Sequence, residues 1–303
     1  MPTLYTHAAS NIRKTWFYLT GFLVFIILLA WLISYLIGSY IILLIAVIYS
    51  ILISFLGYWH SDKIVLAMSG ARLIEKKDNP ELYRLVENLC ITAGLPLPKI
   101  YIIKENQPNA FAAGRNPKHA AVAVTQGLLD RLERTELEGV IAHELSHIGN
   151  RDALLQTIVV VLVGVVVMVT HIFLRISFWG GFRGRDNNRN ESQIGVILML
   201  LGLVLAILAP IFATLIKMAI SRRREFLADA SGALLTRYPE GLARALEKIS
   251  SDPNPLRTAN VSTSHLFIVS PFRGKESQSW FSKLFMTHPP IEERVRALRG
   301  MRV

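Results

Sequence analysis

The segment His143-Glu144-Leu145-Ser146-His147 has the pattern H-E-x-x-H, whose polar side chains can bind and use a metal ion. Residues four positions apart on an α-helix lie on one face, one turn apart, so both imidazoles can share one ion. Zinc is the expected metal, although two histidines and a glutamate could also hold cobalt or manganese. Glu144 lies beside the histidines and could take a proton from a water that the metal activates. The motif therefore predicts metal-assisted hydrolysis of peptide bonds.

A catalytic zinc needs a third protein ligand, and the residues directly after His147 do not supply it. The extended pattern H-E-x-x-H-x-x-G-x-x-H fails because its glycine and its third histidine are both absent. The best candidate is Glu225, and Asp229 shares its helix face one turn later. Asp229 could accept the N–H of His143 and so fix the tautomer of that ring. The alternative is that both acids merely pair with Arg222–Arg224.

The helix that carries the motif is predicted from a capping pattern. Thr135 and Glu138 have the spacing of a capping box, and the helix that they open should run through His147. Two histidines and a glutamate buried near a membrane would be costly without a metal, which disfavours an ordinary surface helix. Asp152 could also support this helix, although Asp229 has the clearer role.

Strongly apolar runs surround these residues. Of the 303 residues 52% are hydrophobic, and the mean hydropathy of +0.39 exceeds that of a usual soluble protein. No charged residue occurs from Thr15 to Trp59. A single helix of that length would reach about 68 Å, more than twice the thickness of a hydrocarbon core. Two membrane-spanning helices are therefore predicted, with a break near Gly38-Ser39.

Two further apolar runs extend from Ala153 to Leu174 and from Ser192 to Ile216, and each could cross a bilayer. The alternative for this pair is a buried helical hairpin. The basic residues at the ends of the spans predict that both termini and the H-E-x-x-H motif are cytoplasmic. The connection between the two runs disagrees, because it should lie outside and yet carries Arg175, Arg183, Arg185 and Arg189.

The predicted fold is an α-helical integral membrane protein with about four transmembrane helices and an α+β, zincin-like metalloprotease domain in the cytoplasm. Residues 1–60 form an N-terminal transmembrane hairpin, and residues 153–216 form the second hairpin. Residues 61–152 are the first part of the protease domain and carry the H-E-x-x-H helix. Residues 217–303 are the second part and carry the third ligand.

Within the first part, apolar spacing predicts an amphipathic helix after Asn79-Pro80. Short strands are predicted at 100–103, 109–112 and 120–125. The single cysteine, Cys90, falls in the apolar pattern of the helix. A chain with one cysteine has neither an internal disulfide nor a Cys-rich zinc site.

The formal net charge of +11 and the pI near 9.9 could suggest a nucleic-acid partner. The lysines and arginines instead cluster beside the apolar runs, and no nucleic-acid-binding module is recognisable. Retention of positive charge on the cytosolic side of a membrane explains the excess better. The predicted partners are therefore the lipid bilayer and protein or peptide substrates, and nucleic acid is excluded.

Three separated motifs, HELSH, SRRREFLAD and THPPIEERV, resemble the HtpX family of membrane zinc metalloproteases, which is related to the endopeptidases that process prenylated CAAX proteins. The similarity covers nearly the whole chain. It implies one zinc ion held by His143, His147 and Glu225, with Glu144 as general base and acid. It also implies a stress-response, quality-control protease that cleaves damaged or misassembled membrane proteins in a bacterial or archaeal cytoplasmic membrane.

The same resemblance implies roles for two other segments. Asn109-Ala110-Phe111-Ala112 is similar to the family's edge strand, with which an extended substrate would pair through backbone hydrogen bonds. His288 lies where the related CAAX proteases place a histidine near the scissile carbonyl, and Arg294 matches an arginine that follows it near the substrate. His288 could donate to the developing oxyanion, or it could cap the helix that begins at Pro289-Pro290.

Three alternatives stay open from the sequence. The first is an enzyme of narrower purpose that processes lipidated C-terminal peptides, for which four apolar runs look too few. The second is a membrane scaffold stabilised by zinc, which would not need the carboxylate of Glu144. The third is a basic protein that binds the membrane surface, which leaves the two histidines unexplained.

Overall fold

The structure is a computed structural model and describes residues 4–38, 40–165, 202, 222–258, 262–272 and 289–301. Apart from residue 202, the fourth apolar run and the arginine-rich connection before it lie outside the described residues. His288 also lies outside them.

The N-terminal part is a hairpin of two long helices, α1 (Leu4–Ile37) and α2 (Tyr40–Met68). The chain turns at Gly38, whose φ of +74° favours glycine because it has no side chain to clash. The rings of Trp16 and Tyr58 stack with centroids 5.4 Å apart, so the start of α1 lies beside the end of α2. The predicted helical pair and its break near Gly38 are confirmed.

Two stretches of the described residues are long and apolar enough to cross a membrane, Ala8–Leu28 and Leu43–Met68. A third is obtained if two helices bent by 81° count as one span, namely α5 (Arg134–Gly149) and α6 (Asp152–Val165). The third predicted run is therefore helical as far as it is described.

The stretch from Ala71 to Thr125 contains a four-stranded sheet in the order β1-β2-β4-β3. Its strands are β1 (Ala71–Leu73), β2 (Lys99–Ile103), β3 (Ala110–Gly114) and β4 (Ala120–Thr125). Strands β2 and β4 are parallel, and the other two pairs are antiparallel. The three predicted strands are confirmed with shifted ends, whereas β1 is too short to show a pattern and was not predicted.

Further helices surround the sheet. They are α3 (Pro80–Ala93), α4 (Gln126–Arg131), α7 (Arg222–Thr236), α8 (Pro239–Ser251) and α9 (Ile291–Arg299). Helix α3 is the predicted amphipathic helix, and the side chain of Asn79 accepts the N–H of Leu82 at its first turn. Its buried face includes Cys90, as its spacing predicts.

Alternation along the strands divides the core into two layers. Val122 and Val124 of β4 pack with α3, α5, α8 and α9, whereas Ala121 and Ala123 face the other side with Val65 of α2. The sheet thus lies between the end of the membrane hairpin and the helices that carry the polar site.

The predicted capping box of α5 is wrong by two residues. The helix begins at Arg134, and the carboxylate of Glu136 accepts the N–H of Glu133 at 2.9 Å. Lys248 of α8 donates to the same carboxylate at 2.8 Å, so a tertiary contact holds Glu136 in the interior. Glu138 instead pairs at the surface with Arg134.

Replacing Gly139 with alanine is expected to destabilise the fold by about 1–3 kcal/mol. A Cβ at Gly139 would lie 2.8 Å from the backbone nitrogen of Leu242, so α5 and α8 would have to separate. Gly149 is a matched control on the same helix, because a Cβ there meets only the Leu95 side chain at 3.9 Å. Thermal unfolding in detergent checks this expectation, and equal shifts for the two variants would contradict the close helix contact.

Candidate metal centre

His143, His147 and Glu225 converge in the interior, where each is at most 4% exposed. The Nε2 atoms of the two histidines are 3.1 Å apart. The oxygens of Glu225 lie 3.6 Å from Nε2 of His147 and 3.9 Å from Nε2 of His143. Ligand atoms around a tetrahedral zinc with bonds of about 2.0–2.1 Å are about 3.4 Å apart. The three side chains therefore fit a single metal ion.

A glycine allows this convergence. Gly232 of α7 lies against α5, and a Cβ there would be 3.0 Å from the backbone nitrogen of His143. Glu225 and Gly232 are seven residues apart, so they share the face of α7 that points at α5. Close packing at Gly232 brings the carboxylate of Glu225 within reach of both histidines.

Asp229 lies beside the first histidine. One of its oxygens lies 2.9 Å from Nδ1 of His143, which directs Nε2 toward Glu225. Arg294 donates to both oxygens of Asp229 at 2.8 and 2.7 Å, and to the carbonyl of Ile268 at 2.9 Å. Burial alone would raise the pKa of Asp229, but Arg294 and His143 lower it to about 2. Asp229 is therefore charged at any working pH, and fully buried Arg294 compensates its charge.

Asp152 orients the second histidine. The chain bends between α5 and α6 at Arg151, whose φ of +61° is unusual for a residue with a side chain. This bend places an oxygen of Asp152 3.2 Å from Nδ1 of His147. Burial lowers the pKa of His147, but the bond to Asp152 and the charge of Glu225 outweigh it and raise the pKa to about 9. The surroundings of His147 therefore favour a positive charge, which a bound metal ion would supply.

Two further residues hold Asp152 in place. The side chain of Asn11, on α1, donates to an oxygen of Asp152 at 2.6 Å. Nε of Arg224, the residue before Glu225, lies 3.2 Å from the same oxygen. The first membrane helix is thereby connected through Asp152 to His147.

Glu144 lies beside this cluster and is 1% exposed. The backbone N–H of Ala112 bonds to its carboxylate, and Oε1 has no hydrogen-bond partner in the described part of the chain. Burial raises the pKa of Glu144 to about 7. A carboxylate with a free oxygen and a pKa near neutrality can both accept and return a proton.

The predicted edge segment, Asn109 to Ala112, lies at the edge of the described sheet. The side chain of Asn109 donates to the carbonyl of Val269 at 2.9 Å, and the carbonyl of Ala110 accepts from Ile268 at 3.0 Å. Phe111 packs edge-on against Phe267 on the opposite side of the sheet. Ala112 is therefore the member of this segment that lies beside Glu144.

Sequence reasoning missed Asn11 and Arg224 and placed Arg294 near the substrate. The sequence around Asn11 has no pattern that indicates a distant carboxylate. The alternative pairing of Asp229 with its neighbouring arginines is not what the structure has, since Asp229 binds Arg294 and Arg224 contacts Asp152. The sequence did offer one indication for Asp152, because it follows the motif helix closely enough to reach His147.

The chain is similar to proteins of known families. Residues 76–302 match the model of peptidase family M48. The chain is 45% identical to a protease HtpX homolog of Caldanaerobacter subterraneus subsp. tengcongensis, with 99% of both chains covered. It is 48% identical to a protease HtpX homolog of Dictyoglomus turgidum, with 99% of this chain and 95% of the relative covered.

The fold is similar to the crystal structure of S. mikatae Ste24p, with a TM-score of 0.50 and 18% sequence identity. That similarity covers 97% of this chain but 66% of the Ste24p chain, so this chain spans slightly less than two thirds of that protein. At this identity the likeness is one of fold.

Proposed function

Because the chain belongs to peptidase family M48 and, within it, to the HtpX proteases, we propose that this metallopeptidase uses one zinc ion to cleave misfolded or damaged membrane proteins. The observation that carries the proposal is the convergence of His143, His147 and Glu225 beside Glu144, one oxygen of which has no partner among the described residues. A structural zinc site would have no use for that carboxylate and would close its fourth position with another ligand.

In the proposed reaction, His143, His147 and Glu225 hold the ion. When bound, zinc supplies a Lewis acid that polarises a carbonyl and makes water more acidic. Glu144 removes a proton from the attacking water and returns it to the leaving amine. Asp229 and Asp152 would keep the two imidazoles in the tautomer that leaves both Nε2 atoms, which lie near Glu225, without a proton.

The substrate is proposed to bind as an extended chain along the part of β3 that follows Ala110, whose carbonyl is bonded to Ile268, with Ala112 nearest to Glu144. The supporting observation is the position of Ala112, whose outward backbone group already reaches Glu144. His288 is proposed to donate a hydrogen bond to the oxyanion, and the support for this role is the resemblance to the related CAAX proteases. Arg294 is proposed to act through Asp229 rather than by touching the substrate, since it is fully buried.

The division into two hairpins and a split protease domain remains part of the proposal. The supporting observation for a protease domain built from two parts is one hydrophobic cluster, which contains Val140 of the first part and Leu242 and Val295 of the second. The proposed orientation has the metal site and both termini in the cytoplasm, where a site near the bilayer favours unfolded or membrane-tethered segments.

The experiment that tests the function uses the purified chain in detergent with unfolded casein and a tightly folded protein as substrates. We expect cleavage of casein alone, loss of cleavage after a chelator removes the metal, and its return with zinc. A single-span protein with a damaged cytoplasmic segment, reconstituted together with this chain in lipid vesicles, tests the membrane substrate class. Cleavage that survives complete removal of the metal would contradict the proposal.

Replacing Glu225 with glutamine is expected to weaken zinc binding more than 100-fold, because the loss of a ligand exceeds the 10–100-fold typical of an outer partner. The neutral amide is a poor ligand and leaves the ion with two histidines. Competition with a chromogenic chelator measures the affinity. Glu240→Gln is the control, since Glu240 pairs with Arg299 at the surface. Full zinc occupancy in the Glu225 variant would remove this ligand assignment.

A further inference from the structure

A cleft of about 660 Å³ lies outside the metal centre, between the end of α2 and the end of the sheet where β2 and β4 begin. The residues that matter in this cationic cleft are Trp59, Asp62, Lys63, Lys99, Arg115 and Lys118. They come from α2, the start of β2 and the β3–β4 connection.

The charge of the cleft is not balanced. Four cations face a single carboxylate, that of Asp62. Among the described residues, no ion pair is found for Lys63, Lys99 or Lys118, and all three are exposed. Lys76 and Lys248, in contrast, pair with acidic residues. Like charges that gather without counter-charges raise the affinity for an anion.

The cleft lies at the level where α2 is expected to leave the membrane. The apolar residues from Tyr40 to Trp59 make about 30 Å of helix, the thickness of a hydrocarbon core. Beyond them, Val65 and Leu66 pack on the sheet. Only the last turns of α2 pack on the sheet, and the turns before them are the proposed membrane span. The end of the sheet that carries Lys99 lies beside Trp59, so we expect that end to face the membrane surface.

Arg115 is already positioned to bind an anion. It donates to the backbone carbonyl of Trp59 at 3.0 Å, and its guanidinium lies 4.3 Å from the centre of the Trp59 ring. A guanidinium that is held by such contacts loses less freedom when it binds a phosphate with its remaining donors. Trp59 and Phe55 stay 45% and 57% exposed, as aromatic residues at a membrane interface do.

We propose that the cationic cleft binds the phosphate headgroup of an anionic phospholipid from the adjacent leaflet. Lys63, Lys99, Arg115 and Lys118 contact the phosphate, and the acyl chains lie against Phe55 and the apolar part of α2. Basic pockets beside membrane helices recognise such headgroups, whereas a zwitterionic lipid carries its own cation and gains less.

The test uses the full chain in micelles or vesicles of phosphatidylcholine with an increasing share of phosphatidylglycerol. Native mass spectrometry counts the phosphatidylglycerol molecules retained per protein. We expect the parent protein to retain phosphatidylglycerol from the mixture. Each basic residue near an anionic surface contributes about fivefold to binding, so the Lys99→Gln/Lys118→Gln variant should bind phosphatidylglycerol about 25-fold more weakly.

The matched control is Lys104→Gln/Arg257→Gln, which removes the same charge from exposed residues at the opposite end of the sheet. We expect its lipid affinity to be unchanged. Arg115→Lys retains the charge but loses the planar donors, and we expect an intermediate affinity. Unchanged zinc content and casein cleavage show that each variant is folded.

Three results would overturn the proposal. An equal loss in the control variant would mean that net charge alone attracts the lipid. Displacement of the lipid by inorganic phosphate at matched concentration would identify a site for a soluble anion. Unchanged lipid retention together with weaker cleavage of substrates that have acidic juxtamembrane segments would identify a protein-binding surface instead.

Discussion

Replacing Glu144 with glutamine is expected to lower proteolysis by about 100- to 10,000-fold, the range of a lost general base, while the metal stays bound. The amide has nearly the same shape but cannot accept a proton from water. Glu144 is not among the three side chains whose atoms converge on the proposed ion, so zinc affinity should change little. No other unpartnered carboxylate oxygen is found beside the histidines in the described residues.

The measurement compares casein cleavage and zinc content for the two proteins at equal concentration. Glu138→Gln is the control, because Glu138 is on the same helix but pairs with Arg134 at the surface. If the Glu144 variant cleaves as fast as the parent, the activity belongs to a contaminant or to other chemistry. If even the zinc-loaded parent fails to cleave, a narrow substrate or a structural zinc site becomes the better hypothesis.

Replacing Arg294 with methionine is expected to destabilise the protein by about 3–5 kcal/mol, the cost of leaving one partner of a buried ion pair alone. Arg294 is fully buried, and Asp229, which accepts two of its hydrogen bonds, is 2% exposed. Without the guanidinium, the charge of Asp229 lacks its nearest compensation. Asp229 would also lose the two hydrogen bonds that fix its position beside His143. Zinc affinity should therefore fall together with stability.

Arg299 provides a control on the same helix. It makes four side-chain hydrogen bonds to Glu240 and Glu247, but it is 45% exposed. Solvent screening leaves such exposed pairs with little net stabilisation, so Arg299→Met should shift the unfolding midpoint far less than Arg294→Met. Arg294→Lys retains the charge but cannot make both hydrogen bonds to Asp229 in the same geometry. Its unfolding midpoint should lie between those of the two methionine variants. Similar shifts for the two methionine variants would show that burial of the Arg294 pair has little energetic consequence.

The parts of the site that sequence could predict are those fixed by helical periodicity. The four-residue spacing of His143 and His147, and that of Glu225 and Asp229, place each pair on one face whatever the tertiary fold. Apolar spacing similarly predicts α3, and the length of the first apolar run requires two spans.

The remainder depends on contacts between distant segments. The partner of His147 depends on the bend at Arg151, which no local propensity predicts. The start of α5 is set by Lys248, more than a hundred residues later. Arg294 has the sequence environment of a surface helix, and only the packing of α9 on α7 buries it beside Asp229.

The two imidazoles have supports at opposite ends of the chain, with Asn11 holding Asp152 and Arg294 holding Asp229. During synthesis, His143 and His147 leave the ribosome about 150 residues before Arg294, which at 5–20 residues per second is roughly 7–30 s. Over that interval the growing chain lacks Arg294, and at first it lacks Glu225 as well. The chain is therefore expected to gain proteolytic activity only once α9 has folded against α7 and Arg294 has reached Asp229.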